Sequence, residues 1–343
     1  MHLPLRRFLP LLCSASIATV ALPPFIHADE PAPAPAPAPP WPKTAPVFDH
    51  VVVVLEENKT YEEVIGNAWA PYINSVLRKE GALLTQMYGE EHWSEGNYFW
   101  LFSGDNHGMG FADKMPQKPL TTSNLGEQLL KAGHTFIGYS ENLPSVGSKV
   151  IFAPPPPDRA LYARKHVPWV SFSNVPDSAS VPFTEFPKDA AGFEKLPTVS
   201  FVIPNLLSDM HDGSPKDSVP TGDTWLKQNI DAYYQWAKTH NSLLIVTFDE
   251  NDNKAGYRGL TNPMIVVDGA DPEFRRSLQN QIPTIFAGAH IKAGEYPEAL
   301  GVTHVNLLRT LESMYGLNKS GAQQPNALGA GITDDFIVTD VFQ

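Results

Sequence analysis

Two apolar runs that end in carboxylates and amides carry most of the chemistry legible in this chain. Residues 51–55, four valines and a leucine, lead into Glu56-Glu57-Asn58, and residues 243–248 lead into Asp249-Glu250-Asn251-Asp252. A continuous aliphatic run reads as a strand buried on both faces, as in a parallel sheet. Polar groups at its carboxyl end lie where open α/β sheets bind ligands. One such strand end is ordinary solvated loop. Two of them, delivering carboxylates to one sheet edge, suggest a site for a hard cation. A third segment, His92-Trp93-Ser94-Glu95-Gly96-Asn97-Tyr98, precedes the apolar run 99–102. A serine opening a helix meets oriented backbone N–H groups that favour phosphate. On a cation it would be a competent nucleophile. Asn97 could donate to a phosphoryl oxygen as charge develops. Taken alone, this segment reads first as a helix cap, the commoner use of serine there.

The histidines divide by context. The chain has 11, most of which are expected to be surface or satisfied residues. His211, flanked by Asp209 and Asp212 that could orient it, and His304, ahead of a helical pattern, rank first as proton donors. His92 stands two residues from Ser94, and His166 follows Arg164-Lys165, a basic cluster that could meet substrate phosphate. His107 lies in a turn-forming run and is expected to be structural. Trp93, Tyr98, Phe99 and Trp100 either line a pocket beside Ser94 or pack in the core. No Gly-Lys-Ser/Thr phosphate loop and no Gly-x-Ser-x-Gly elbow is present, which excludes those two routes to phosphate and ester chemistry.

These groups need a frame. After the first strand, further strands are expected at 136–139, 199–203, 243–248, 264–267 and 284–286. Helical patterns lie between them: 72–79; a helix capped by Ser123 or Asn124 and stopped by Gly133; a face of Leu226, Ile230, Tyr233, Tyr234 and Ala237; and a last helix through Val305, Leu308, Leu311 and Tyr315. Alternating strands and helices imply a mostly parallel central sheet covered on both faces, a three-layer α/β/α sandwich. The reactive groups then sit in loops along its carboxyl edge.

The chain has 343 residues, 42% of them hydrophobic, enough for one large core. Its formal net charge of -12 excludes a basic nucleic-acid footprint. Residues 1–28, with Arg6-Arg7 before an apolar stretch and Ala28 at its end, read as a signal peptide, so the protein is expected in the periplasm or secreted. Removing two arginines would leave -12 - 2 = -14. The single cysteine, Cys13, lies inside that segment, so the remainder has no disulfide and no thiolate ligand. Residues 29–45 form a Pro/Ala-rich spacer, and the folded domain is expected over 46–343. No stable membrane anchor is expected. Nothing in the sequence specifies an oligomeric state.

The ordered motifs resemble those of the bacterial phosphoesterase family of acid phosphatases and phospholipases C, within the alkaline phosphatase superfamily. They are Glu57-Asn58 with Thr60-Tyr61, Ile65-Gly66-Asn67, Pro71-Tyr72-Ile73-Asn74, the 92–98 segment with Leu101-Phe102-Ser103-Gly104, Tyr162-Ala163-Arg164-Lys165-His166, Pro204-Asn205, Met210-His211-Asp212, Asp249-Glu250 and Thr303-His304 onward. The resemblance implies an alkaline phosphatase-like fold and a divalent cation, with calcium, magnesium or manganese favoured. Glu57, Asn58, Ser94, Asp249 and Glu250 become its ligands, and Ser94 the nucleophile. Asn97 becomes the phosphoryl-oxygen donor. His211, Asp212 and His304 lie around the leaving group or a second metal position, and His92 and His166 around the substrate. Two places depart from the family pattern: Trp93 and Gly96 stand where prolines are usual, and the acidic stretch reads Asp249-Glu250-Asn251-Asp252, where further acids are commoner. The implied activity is a phosphomonoesterase of acid phosphatase type, acting through a phosphoseryl intermediate on small-molecule or lipid-headgroup phosphate esters. Phospholipase C, whose long members carry extra carboxyl-terminal domains, is the nearest alternative. A catalytically inactive binding protein on the same fold is the other.

Overall fold

The computed structural model describes residues 44–109, 113, 115–263, 268–297, 302–321 and 336–343. The expected signal peptide with Cys13, nearly all of the spacer and the strand expected at 264–267 lie outside these residues.

Eight strands form one sheet: β1 (His50–Glu56), β2 (Ala82–Leu84), β3 (Phe136–Ser140), β4 (Ser180–Pro182), β5 (Val199–Ile203), β6 (Ser242–Phe248), β7 (Thr284–Gly288) and β8 (Gly294–Tyr296). Their spatial order is β8-β2-β7-β6-β1-β5-β3-β4. β7 runs antiparallel to both β6 and β2, and every other pairing is parallel. The expected mostly parallel sheet is therefore present. β1 lies inside it, between β5 and β6, and residues 51–56 are all buried. That double burial is why the run is continuous rather than alternating. Register pairs Glu56 with Phe248, so Glu57 and Asp249 leave the sheet side by side.

The longer helices are α1 (Ser94–Ser103), α2 (Leu125–Lys131), α3 (Pro215–Asn229), α4 (Asp231–Ala237), α5 (Pro272–Gln279) and α6 (His304–Met314). Both faces of the sheet carry aromatic packing. Phe136 and Tyr139 on β3 are three apart and so point to opposite sides. Phe136 meets Phe102 of α1 at 5.4 Å between centroids, whereas Tyr139 meets Phe186 at 5.2 Å, within a cluster that continues through Phe193 to Tyr233 of α4. On the first side the approach is close. A Cβ on Gly138 would stand 2.0 Å from Trp169, so glycine is required there.

Asn124 caps α2, its side chain accepting the Glu127 N–H at 2.9 Å. The apolar face from Leu226 to Ala237 is buried as expected, but two helices share it, with the break at Ile230. Strands β2, β4 and β8 were not expected. Each has three residues, too short for a periodicity to show.

Candidate active site

Glu57, the first residue past β1, is the centre of the site. Its side chain accepts from Ser94 Oγ at 3.2 Å and from the Tyr98 hydroxyl at 2.5 Å. Ser94 and Tyr98 are one turn apart on α1 and share a face, so one carboxylate can hold both. The Glu57 N–H donates to Asp209 O at 2.7 Å, which ties in the loop after β5. The Asn58 N–H donates to Asp249 Oδ1 at 3.0 Å, which ties in the end of β6. Asn58 has φ +47°, a left-handed conformation that asparagine tolerates.

The turn into α1 is strained. Trp93 has φ +99°, and its N–H donates to both oxygens of Glu250 at 3.2 and 3.1 Å. Proline holds φ near about -65° and has no N–H, so it could make neither feature. Gly96 serves a different need, since a Cβ there would lie 1.9 Å from Glu91 Oε1. Trp93 and Gly96 thus both fit a local arrangement built around Glu250 and Glu91.

Around Glu57 the buried charge is mostly negative. Burial, with Asp249 and Asp209 nearby, raises the Glu57 carboxyl well above its ordinary value. Burial, with Glu250 beside it, pushes Asp249 up to about 6. Asp209 is raised well above its usual range, chiefly by burial. A cation stands beside the serine: Lys165, whose Nζ lies 3.4 Å from Ser94 Oγ and 2.8 Å from Asp113 Oδ2. Burial works against the Lys165 charge, but Glu57 and Asp113 outweigh it and raise its pKa. The other oxygen of Asp113 accepts the Glu95 N–H at 3.1 Å, in the first turn of α1. A carboxylate therefore already occupies an anion-binding position beside Ser94. His166 stacks on Tyr98 at 5.2 Å, and its Nε2 is 3.2 Å from Glu57 Oε1 without hydrogen-bond geometry. Burial and the Lys165 charge hold its pKa well below the ordinary histidine value.

These groups fit a cation. Asn58 Oδ1, Asp209 Oδ2, Asp249 Oδ2 and His166 Nε2 are buried without a hydrogen-bond partner. Unpartnered buried acceptors are costly unless something else satisfies them. Glu57, His166 and His211 also bring one ligand atom each to within 4.8 Å of one another. Beside them lies a cavity of about 430 Å³, whose walls include Asn58, Ser94, Lys165, His211 and Glu250.

The residues singled out in the sequence fall into two sets. Glu57, Asn58, Ser94, Asp249 and His211 converge. Asp212 stands behind His211, accepting from its Nδ1 at 2.8 Å while pairing with Arg159. The others are engaged elsewhere. Asn97 bonds the backbone of Glu91 at both ends of its amide, at 3.2 and 2.6 Å, which turns it toward that loop, and it is not among the residues lining the cavity. His304 is fully buried, held by Glu90 at 2.7 Å and Phe248 O at 2.8 Å, so it is no proton donor to a leaving group. His92 is equally buried, between Glu250 at 2.5 Å and Ser277 O at 2.8 Å, and touches no substrate space. His166 sits behind the cavity wall, and Lys165 takes the place expected of it. Glu250 spends its oxygens on Trp93 and His92. Sequence reasoning did not assign the Lys165 contact to Ser94 or the Tyr98 contact to Glu57. The spacing of four between Ser94 and Tyr98 was the available signal for the second.

Comparison with known proteins identifies the family. The chain is 47% identical over 276 residues to the phosphatidylinositol-3-phosphatase of Mycobacterium tuberculosis, covering 80% of each protein. It is 32% identical to the phosphate-repressible acid phosphatase of Penicillium chrysogenum, across 66% of this chain and 53% of that one, so it spans about half the length of the fungal enzyme. The fold is similar to that of an alkaline phosphatase superfamily protein from Vibrio parahaemolyticus, with TM-score 0.54, 13% identity and coverage of 79% and 67%. A model of the Phosphoesterase family matches residues 69–318. The chain belongs to the Phosphoesterase family and is a phosphoric ester hydrolase.

Proposed function

We propose that this hydrolase is an exported, divalent-cation-dependent phosphomonoesterase in which Ser94 attacks phosphorus and is transiently phosphorylated. The observation that carries the reading is the position of Ser94 Oγ. It lies at the amino end of α1, on the cavity wall, 3.2 Å from Glu57 Oε2 and 3.4 Å from Lys165 Nζ. Glu57 is placed to take the hydroxyl proton as the oxygen attacks. Lys165 and the α1 N–H groups face the non-bridging oxygens, where negative charge gathers. His211, with Nδ1 held by Asp212, offers Nε2 to protonate the leaving alkoxide. Water then cleaves the phosphoseryl ester.

Glu57, Asn58 and Asp249, with His166 adjoining, would hold the cation, which would supply positive charge to phosphoryl oxygens and lower the hydroxyl pKa of Ser94. An oxygen-rich set favours calcium, magnesium or manganese. The substrate class we favour is a phosphoinositide monoester, since the M. tuberculosis relative is named for that chemistry. Export is supported by the amino-terminal pattern of the sequence.

The test compares kcat/KM for an aryl monophosphate, a phosphoinositide monophosphate and phosphatidylcholine, with and without a chelator. Release of inorganic phosphate from the two monoesters, lost on chelation and restored by a divalent cation, is expected. Faster release of phosphocholine than of phosphate would overturn the monoesterase reading in favour of a phospholipase C.

A further inference from the structure

The described residues include nine large hydrophobic side chains that are exposed, and four of them fall between positions 146 and 152. They are Val146 at 55%, Val150 at 41%, Ile151 at 51% and Phe152 at 42%. Single exposed apolar residues are normal, but a concentration of them marks an interaction surface. This stretch is no remote loop. Phe152–Ala153 pairs antiparallel with Tyr162–Ala163, and the Arg164 N–H donates to Ile151 O at 2.9 Å. The next residue is Lys165, on the cavity wall. A fifth exposed residue, Leu207 at 36%, lies on the neighbouring loop, which the Leu206 N–H ties to Leu161 O at 2.9 Å.

The same hairpin is locally basic. Residues 145–166 contain Lys149, Arg159, Arg164 and Lys165 against Asp158 alone, 4 - 1 = +3, in a chain whose formal net charge is -12. Lys149 and Arg159 pair with Asp177 and Asp212 at 2.9 and 2.8 Å, in pairs exposed enough to open at little cost. Exposed apolar side chains and cations on one hairpin match the interface of an anionic bilayer, which takes up apolar groups and attracts positive charge. No helix among the described residues is long and apolar enough to cross a membrane, so the contact would be peripheral.

We propose that the 145–164 hairpin docks the catalytic cavity onto an anionic phospholipid surface, where the phosphorylated headgroup enters while its acyl chains stay in the lipid. The inference rests on the phosphoinositide reading above for its purpose, but its test needs no catalysis. The probe is co-sedimentation of the full chain with phosphatidylcholine vesicles, with and without phosphatidylserine. Wild-type protein binds the anionic vesicles more strongly. The pair Val146→Asp with Ile151→Asp, at the two most exposed positions, weakens that binding at least about tenfold. Lys149→Glu weakens it on anionic vesicles only. All variants keep wild-type turnover of a soluble aryl phosphate, which shows that they are folded. Equal vesicle binding by wild type and the double variant overturns the proposal. So does a wild type that ignores both vesicles, and if that protein self-associates through the patch, the surface belongs to a second copy. If vesicles bind but no monoester is hydrolysed, the docking stands and the functional reading falls.

Discussion

Lys165→Met should separate the two positive charges on which the proposed mechanism relies. Lys165 Nζ lies 3.4 Å from Ser94 Oγ, and its side chain is only 18% exposed. Unit charges about 4 Å apart interact by about 4 kcal/mol at the effective dielectric suited to such a position. Asp113, 2.8 Å from the same nitrogen, offsets part of that field until a substrate phosphate displaces it. A net loss of about 3–4 kcal/mol of transition-state stabilisation follows, or about 10²–10³ in kcat/KM. The cation should respond in the opposite direction. Deleting a positive charge beside Glu57 and Asp249 removes a repulsion on the divalent ion, so the variant holds it at least as tightly as wild type. The assay is initial-rate kinetics on an aryl phosphate at saturating manganese, with calorimetric titration of the ion and a melting curve as the fold control. Lys165→Arg, which keeps the charge, should recover at least about tenfold of the loss. Turnover of Lys165→Met within about threefold of wild type, at an unchanged Tm, would refute a transition-state role for this lysine.

Ser94→Ala should remove at least about 10³ of turnover while leaving Tm nearly unchanged, and acid-quenched wild type should carry phosphate on Ser94; a phosphorylated Ser94→Ala protein would place the nucleophile elsewhere. Asp249→Asn should lose cation affinity and activity together, since its Oδ2 has no hydrogen-bond partner to compete for it; calorimetry that finds wild-type affinity would count against the ligand assignment. Asn97→Ala should act through stability, lowering it by about 1–3 kcal/mol as two buried hydrogen bonds to Glu91 disappear, and a loss of rate with no change in Tm would restore it to the phosphate. Burial pushes Glu91 up to about 7, so the folded state favours its protonated form. That contribution is fully present below the unfolded carboxyl value and is lost as pH rises through about 7, so Glu91→Gln should flatten the fall in Tm between about pH 5 and 7.5, by at most about 3 kcal/mol.

The central sheet was legible because burial on both faces leaves an unmistakable mark on β1, β5 and β6. The three-residue strands β2, β4 and β8 left none, and the antiparallel course of β7 is set by its neighbours rather than by its own residues. In the site, Glu57, Asn58 and Asp249 come together because register sets the two strand ends side by side. Residues singled out by their nearness in sequence to Ser94 do not all face the cavity. His92 and Asn97 stand two and three positions from the serine, yet the strained turn at Trp93 and the first turn of α1 direct both away from the cavity. Asn97 is itself instructive, since an amide three residues into a helix can serve a ligand or the backbone that precedes the helix, and the two uses have one sequence. The basic cluster at Arg164-Lys165 was legible, but the contact of Lys165 with Ser94 was not, because the two lie 71 residues apart.

The ties that assemble the site span long stretches of chain. Ser94 meets Glu57 across 37 residues, and Asn58 meets Asp249 across 191. β1 pairs with β5 and β6, so the first strand to leave a ribosome waits for partners made much later. Loop closure over such distances must occur before the contacts repay it, and topologies of this kind fold slowly. Catalytic competence should therefore emerge last on the folding pathway, together with the completed sheet. A partly folded chain therefore carries no phosphate-cleaving site, and the activity is withheld until the strands on either side of β1 have joined it.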